Sequence, residues 1–474
     1  MREARATISG EHAFKFKHVL IREVAYSGLS KSSRADLHRA FALWLGERAG
    51  DELLEIRAFH LDQAARLLEE LDGAAPPDLA EQAADALTRA GRRALSREAF
   101  RSARKLLLRA VDLAPSTERR YYAARAAWRL ADMTKVIVEM DEVAKAAAAS
   151  GEAQIQGRAL TALADAILYH RADALGAQRV LTEALEVLAD EPAEIRFEPF
   201  LIASQIATWL GDNDAFEHWA KLGLQAAQSA GRKDQEAIMT QSLAVAYLKG
   251  LDLDEAEPLV ERVAELAAHS GSAFARANAL AARGMLETYR CNYSEADVAL
   301  TSARDLYAEI GHALREASMT LMLGRSAFAG GDLERAEKLL RDSERALKGI
   351  GGRGQLCEAQ RWLAQVLVRL GRLEEAERFA LESRETVGPE DRVSTSTTKV
   401  ALAEVRAAQG RDAEADALFQ EALEGLAFYG FRAAERQSLV SALDFARARG
   451  RDDEIARYEA RLAELSSSST APIA

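Results

Sequence analysis

The chain has 474 residues, far more than one ordinary globular domain, which indicates either several domains or an architecture that grows by repetition. Hydrophobic residues make up 49% of it and charged residues 29%, with only 6% aromatic residues and 8 prolines, a composition that favours helices and excludes a disordered chain. The formal net charge of −12 argues against a molecule that clamps nucleic acid along its whole length.

The sequence shows no export or membrane signal. Its first residues, MREARATISGEH, contain no apolar core of a secretory signal, and no apolar stretch approaches the ~20 residues that span a membrane. Cys291 and Cys357 are too few for a disulfide framework and lack metal-ligand spacing. Both are predicted to be small buried helix residues in a reducing compartment, and the protein is predicted to be cytoplasmic.

The head of the chain, residues 12–70, does not follow the pattern of the rest. The first 50 residues carry nine Lys/Arg against five Asp/Glu, so the head is mildly basic. The segment FKFKHVLIREVAY alternates at Phe14 and Phe16 and then passes into a helix. After the polar turn SKSS, the segment RADLHRAFALWLGE is predicted to be a helix with Ser33 as its N-cap and an apolar face that includes Leu37, Phe41 and Leu45.

Three groups of residues in this head form a recognisable phrase. They are Phe14, Phe16, His18, Leu20, Ile21, Arg22, Glu23, Ala25 and Tyr26, then Leu37, His38, Ala42, Trp44 and Leu45, then Ala58, His60 and Ala64. The phrase resembles the winged-helix-like segment that follows the nucleotide-binding core in bacterial signal-transducing ATPases with numerous domains. That family includes transcriptional activators and adenylate-cyclase-associated regulators, and the resemblance implies an ATPase or cyclase core in cis or in trans.

The catalytic signature of that family is missing from the sequence. There is no G-x-x-x-x-G-K-[ST] phosphate loop, and GIGGRGQ at 349–355 lacks both the Lys-Ser/Thr end and a preceding strand. There is no evident Asp-bearing strand for a magnesium ion and no G-x-S-x-G, H-E-x-x-H or Cys–His nucleophile pattern. We therefore expect the C-terminal part of such an ATPase, with no catalytic residue, no metal site and no cofactor.

Two sets of polar residues in the head have alternative interpretations. His18, His38 and His60 are 20 and 22 residues apart, which matches no metal motif, and we expect them to pack between helices. The basic side chains could contact DNA phosphates or pack against an ATPase core, and the second interpretation is favoured. They are Lys15, Lys17, Arg22, Lys31, Arg34 and Arg39.

The body of the chain repeats. The phrases GLDLDEAE, CNYSEAD, GGDLERAE, GRLEEAE and GRDAEAD return with anchor alanines that are 40, 40, 40 and 39 residues apart, and equivalent positions fall at Ala215 and Ile455. The anchors are Ala256, Ala296, Ala336, Ala376 and Ala415. Paired acids such as Glu374 and Glu375 lie just after the turns, where a helix N-terminus favours negative charge.

Two further marks keep a fixed distance from each anchor. A turn glycine lies five residues before several anchors, as at Gly331, Gly371, Gly410 and Gly450, where a left-handed conformation ends the first helix. A small residue that allows close helix approach lies twelve residues before; the set is Ala203, Ala244, Gly284, Gly324, Ala364 and Ala403. Each unit is therefore predicted to be helix, tight turn, helix. Units near Ile137 and Ala177 are the least regular.

These units resemble the tetratricopeptide repeat, most closely at residues 84–117, where Gly91, Ala103, Ala110 and Pro115 occupy the family's positions. The later period of 40 is similar to that of sensor regions in regulatory ATPases. The resemblance implies an all-α, right-handed α-α solenoid with first helices on its concave face. The predicted divisions are a winged-helix-like segment at 1–72, a linker at 73–78, nine to ten hairpins at 79–465 and a disordered tail at 466–474.

The repeat phase also predicts a binding surface. Positions three before, one after and four after each small residue should face the groove, which names Gln241, Met285, Thr288, Arg325, Phe328, Arg361 and Gln365. Arginines on successive repeats suit a carboxylate or phosphate, so we expect a protein partner or a small anionic ligand there.

The resulting hypothesis is a non-catalytic regulatory module that binds in the repeat groove and controls a signalling ATPase or cyclase. Two alternatives are a fragment of an ATP-binding signalling enzyme and a transcription regulator that contacts DNA through the basic head. Binding to nucleic acid or a membrane is not expected.

Overall fold

A computed structural model describes residues 2–4, 13–16, 18–130, 132–388, 390–428 and 431–467. It confirms the all-α prediction, and within these residues the chain divides into two compact units, Met1–Ala126 and Ala127–Ala474. Lys17 and the tail residues 468–474 lie outside the described residues. None of the helices in the described ranges is long and apolar enough to cross a membrane.

The first unit contains a short hairpin of strands and a run of helices. β1 (Arg2–Ala4) and β2 (Ala13–Lys15) pair antiparallel. The helices are α1 (Val19–Ser27), α2 (Lys31–Ala49), α3 (Leu54–Asp72), α4 (Pro77–Ser96), α5 (Phe100–Leu113) and the start of α6 (Thr117–Arg129). Helices α2 and α3 pack as an antiparallel pair, and α3 continues the packing onto α4. Helix α2 begins earlier than predicted, because Ser30 is its N-cap and accepts a hydrogen bond from the Ser33 backbone N–H.

The second unit is built of helix pairs, in which each first helix packs along its own second helix. The helices are α7 (Met133–Ser150), α8 (Ala153–Ala166), α9 (Ala174–Val187), α10 (Ala193–Leu210), α11 (Asn213–Ser229), α12 (Lys233–Lys249), α13 (Leu253–Ser270), α14 (Ala273–Tyr289), α15 (Tyr293–Ile310), α16 (Ala313–Ala329), α17 (Leu333–Ile350), α18 (Arg353–Arg369), α19 (Leu373–Thr386), α20 (Arg392–Ala408), α21 (Asp412–Phe428), α22 (Arg432–Ala448) and α23 (Asp452–Ser467). A π-helical segment, Ile167–Arg171, extends α8 in the region that the sequence pattern marks as irregular.

The repeated residues have the packing roles that their spacing predicts. All five anchor alanines are completely buried. At Gly284 and Gly324 an added Cβ would overlap Leu300 and Leu340, which are four residues after the anchors of the same hairpins. The glycine is therefore required where the facing side chain is a leucine, because the two helices touch at that point.

The turn position tolerates residues other than glycine. Gly331, Gly371, Gly410 and Gly450 have positive φ, as predicted. In two hairpins Leu251 and Cys291 occupy the same position with φ of 61° and 64°. Cys291 is thus a turn residue and only half-buried, contrary to the prediction of a buried helix cysteine, whereas Cys357 lies buried inside α18.

Candidate functional site: the lumen of the second unit

The first helices of the hairpins in the second unit form its inner face. Neighbouring first helices touch one another, as α12 touches α14 and α18 touches α20. First helices five hairpins apart also touch, as α10 touches α20, α12 touches α22, and the π-helical segment touches α18. The array therefore winds through a full turn, and we call the inner face formed by α8, α10, α12, α14, α16, α18, α20 and α22 its lumen.

Glycines allow this contact between successive turns. An added Cβ at Gly354 would overlap the indole ring of Trp209, and one at Gly388 would overlap the backbone of Ala172. Both glycines lack a side chain at points where another turn of the winding approaches. The contacts fix how far the lumen is open.

An aromatic side chain, Trp362 on α18, is the centre of the lumen residues that the repeat phase predicts. The guanidinium carbons of Arg325 and Arg361 lie 5.0 Å and 4.4 Å from its ring centroid, and Phe328 meets it edge-on at 5.7 Å. Trp362 itself is buried. The structure thus brings Arg325, Phe328 and Arg361 onto one aromatic platform.

The two arginines on this platform differ in their partners. Arg361 is buried and forms a two-pronged ion pair with Glu358, in which its Nε and Nη2 donate to the two carboxylate oxygens at 2.8 Å and 2.7 Å. Burial raises the pKa of the Glu358 carboxyl, but the charge and hydrogen bonds of Arg361 together with the charges of Arg325 and Lys249 outweigh burial, and the pKa is lowered. Arg325 has no ion pair with any residue in the described ranges.

A polar chain continues from Arg361 deeper into the lumen. The side-chain amide of Gln365 donates to Glu404 at 2.8 Å, and Ser441 donates to the same carboxylate. Burial raises the pKa of Glu404, while these two hydrogen bonds oppose that shift. Gln365 therefore joins α18 to α20.

The remaining predicted groove residues are further from Trp362 in sequence and have local contacts. Thr288 donates its hydroxyl to the Gly284 carbonyl of its own helix at 2.8 Å. Met285 packs against the apolar cluster between α12, α13 and α14. Gln241 lies half-buried on α12.

A second polar cluster, which joins α6 to α8, was not predicted from the sequence. The Trp128 indole donates to Asp165 at 2.6 Å, and burial raises the pKa of Asp165 to about 6. The Arg315 charge acts on Asp165 and on Tyr169, which lies in the π-helical segment. The only sequence signal for this cluster was the irregular repeat near Ala177. The structure has a π-helical segment just before it, and π-helical turns often occur at functional positions.

Histidines of the first unit meet as expected for helix packing. His38 and His60 approach at 2.6 Å between their Nδ1 atoms, and the Tyr26 hydroxyl lies 2.8 Å from His38 Nε2. Burial lowers the pKa of both histidines, to about 4 for His60, so both rings are neutral at pH 7. Across the part of the chain that the structure describes, no group of three or more His, Cys, Asp or Glu could hold a metal ion.

Several basic residues of the head have acidic partners. Lys31 pairs with Glu70 at 2.9 Å, Arg39 pairs with Asp78, and the Arg34 guanidinium lies over the Tyr26 ring. These contacts engage Lys31 and Arg39 within the first unit.

Comparisons with known proteins agree on the repeat. Residues 355–427 match the family described as Tetratricopeptide repeat. A Rap protein solved in complex with competence and sporulation factor has a similar fold, with a TM-score of 0.57 and 10% identity over 74% of this chain and 98% of that chain. No curated protein sequence matches the chain.

Two other solved repeat proteins are similar over shorter parts. One is the set of nearly identical TPR-like repeats of a kinesin light chain from Podosopora anserina, with a TM-score of 0.32 and 19% identity over 40% of this chain and 93% of that chain. The other is BtubC (BKLC) from P. vanneervenii, with a TM-score of 0.32 and 16% identity over 50% and 92%.

Proposed function

We propose that this chain is a non-catalytic sensor module that binds a peptide segment of a partner protein, or a small anionic ligand, in the lumen of the second unit. The observation that carries the proposal is the inner face of this unit, where Arg325, Arg361 and Phe328 meet the ring of the buried Trp362. The tetratricopeptide match at residues 355–427 includes Arg361, Trp362 and Gln365, which all lie on α18. The similar Rap protein was solved with competence and sporulation factor bound, which supports a ligand-binding role for such a winding.

The proposed contacts follow the predicted row. Arg325, Phe328, Arg361 and Gln365 lie on or beside the Trp362 platform and are the central contacts. Gln241, Met285 and Thr288 complete the proposed row on α12 and α14. An array of stacked hairpins suits this role because ligand contacts on several repeats change how neighbouring repeats pack.

Regulation of a signalling ATPase or nucleotide cyclase is the second half of the proposal. Its support is the head of the chain. We propose that the head comprises residues 1–72 and the repeat array residues 79–465. Helix α1 has no buried residue, and Val19, Leu20, Ile21 and Val24 are each more than half exposed. A contiguous exposed apolar face of this kind is typical of a protein-binding surface. The resembling family places its nucleotide-binding core next to this segment.

Peptide binding is tested with a phage-displayed random peptide library panned on the full chain. Enriched peptides are then incubated with variants that carry the photoreactive p-benzoylphenylalanine at Phe328 in the lumen or at Val298, which is 68% exposed on α15. We expect crosslinks at position 328 only. Peptides that crosslink at 298 only, or a library without enrichment, would contradict a binding lumen.

The regulatory half is tested separately at α1. The same photoreactive residue at Leu20 is expected to crosslink to a protein that contains a phosphate loop or a cyclase domain when the chain is expressed in its native cells. ATP binding by the isolated chain, measured by calorimetry, would instead favour the alternative of an enzyme fragment.

A further inference from the structure

Hydrogen-bond donors without acceptors surround the Trp362 platform. The Nε atom of Arg325 and the Nε1 atom of Trp362 are both buried, and neither has a hydrogen-bond partner among the residues that the structure describes. The two groups are adjacent, since the Arg325 guanidinium carbon is 5.0 Å from the indole ring. A buried donor without an acceptor typically costs about 1–3 kcal/mol, so two such donors side by side indicate a place where an acceptor binds.

Lys249 adds a second cation to this place. The 40-residue period makes Arg325 equivalent to Val245, so Lys249 is one helical turn further along the same face of the inner helices. Desolvation lowers the pKa of Lys249, and the Arg325 charge lowers it further. Lys249 has no ion pair with any described residue, although its side chain is accessible.

The surrounding acidic groups are engaged elsewhere. Glu358 accepts hydrogen bonds from Nε and Nη2 of Arg361. Asp391 caps α20 by accepting a hydrogen bond from the Ser394 backbone N–H at 2.9 Å. Both carboxylates act on Lys249 at longer range without forming a contact ion pair. Arg361 therefore has a contact ion pair, whereas Arg325 and Lys249 have none with any described residue and feel Glu358 only at longer range.

We propose that Arg325, Lys249 and the Trp362 indole N–H bind a carboxylate of the lumen ligand, either an acidic side chain or the C-terminus of a peptide. That the carboxylate belongs to a peptide rests on the proposed function. The unpartnered donors of Arg325 and Trp362, with the charge of Lys249, suit the two oxygens of a carboxylate, and the Phe328 ring beside the indole offers apolar contact to the atoms next to it. A phosphate dianion fits less well, because the ionised Glu358 beside the site repels a second negative charge.

The test follows the Trp362 indole directly. The full chain is labelled with ¹⁵N-tryptophan, the Trp362 signal is assigned with Trp362→Phe, and sodium acetate is titrated at pH 7.5 and constant ionic strength. We expect a saturable downfield shift of the Trp362 N–H, no saturable shift with neutral acetamide, and at least threefold weaker binding of inorganic phosphate.

Variants separate this site from a general charge effect. Arg325→Met with Lys249→Met is expected to weaken acetate binding at least tenfold. The charge-conserving Arg325→Lys is expected to retain it within about threefold. The matched control is Arg345→Met with Lys348→Met on α17, where both side chains are about 70% exposed and already paired with acids, and we expect unchanged binding.

The outcomes distinguish this inference from the proposed function. An equal response to acetamide, an unchanged response in the Arg325/Lys249 variant, or tighter binding of phosphate would overturn the carboxylate site. Acetate binding without any peptide crosslink at position 328 would support the anion site and contradict peptide binding. Peptide crosslinks that do not depend on a peptide carboxylate would support peptide binding and contradict the carboxylate site.

Discussion

Gly354 lies directly against the indole ring of Trp209, which belongs to a first helix four hairpins earlier in the winding. A side chain at Gly354 would occupy the space that the indole now fills. Gly354 is helical and has no positive φ, so the glycine is required there for contact between turns and not for backbone conformation. One missing side chain therefore helps to set the width of the lumen.

Replacing this glycine should loosen the winding. Gly354→Val is expected to destabilise the second unit by about 1–3 kcal/mol, as overpacking in a core does, and to lower the melting temperature followed by circular dichroism. Gly349→Ala on α17 is the control, because an added Cβ meets nothing within 4 Å there. The control should be neutral or slightly stabilising, since alanine favours a helix over glycine by about 0.5–1 kcal/mol. Equal melting temperatures for the two variants would contradict a tight contact between turns.

The Arg361–Glu358 ion pair is predicted to be structural as well as ligand-facing. Arg361→Met should destabilise the chain by about 3–5 kcal/mol, because it leaves the Glu358 charge in the lumen without its partner. Removing both charges with Arg361→Met and Glu358→Met should recover most of the loss. The exposed pair Arg345–Asp342 is the control, and Arg345→Met there should cost less than about 1 kcal/mol. Chemical denaturation monitored by tryptophan fluorescence measures the stabilities of these variants. A double variant no more stable than Arg361→Met would refute a structural role for the ion pair.

The hairpin fold was predictable from the sequence because three kinds of position repeat with the same period. An anchor alanine, a turn glycine and a small residue keep fixed distances, so a 40-residue step places each on the same surface of every hairpin. The match weakens at the edges of the series, where Ala215 and Ile455 are only half-buried. The winding that brings α10 to α20 depends on small rotations summed over five hairpins, and no local pattern in the sequence encodes that sum.

The candidate site was predictable only in part, because contacts between different hairpins also decide which groups meet there. The repeat phase named Arg325 and Phe328, which the structure brings to Trp362, but it treated Arg325 and Arg361 as equivalent. Glu358, one helical turn before Arg361, makes the difference, and its contact could have been suspected from the spacing of three. Lys249 falls outside the three groove positions, and its approach to Arg325 depends on the curvature of the inner face.

Cys291 offers a test of the backbone at the hairpin turn. Its φ of 64° places a residue with a Cβ where four other hairpins have glycine. Cys291→Gly should be more stable than Cys291→Ala by about 1 kcal/mol, because alanine keeps the left-handed strain and glycine removes it. The comparison of these two variants cancels the loss of the thiol, which both share. Thermal denaturation under reducing conditions measures the difference, and equal stabilities would show that the turn bears no strain at this position.

His312 should make the second unit sensitive to acid. Burial, and then the charges of Arg315 and Arg129, lower its pKa to about 3, while Phe274 stacks on the ring at 5.6 Å. In the unfolded chain the imidazole takes up a proton near pH 6.5. Between these two values the unfolded state binds more protons than the folded state, so the free energy of unfolding falls as the pH falls from about 6.5 towards 3.

A histidine substitution separates this contribution from the titration of carboxylates. His312→Gln removes the titrating group, so its melting temperature should fall less steeply between pH 6.5 and pH 4 than that of the original chain. His269→Gln, which changes an exposed histidine on α13, is the control and should keep the original slope. The same slope in all three proteins would mean that His312 is protonated in the folded chain. That result would require an acidic partner or water at the imidazole, in place of the apolar and cationic contacts made by Phe274, Arg315 and Arg129.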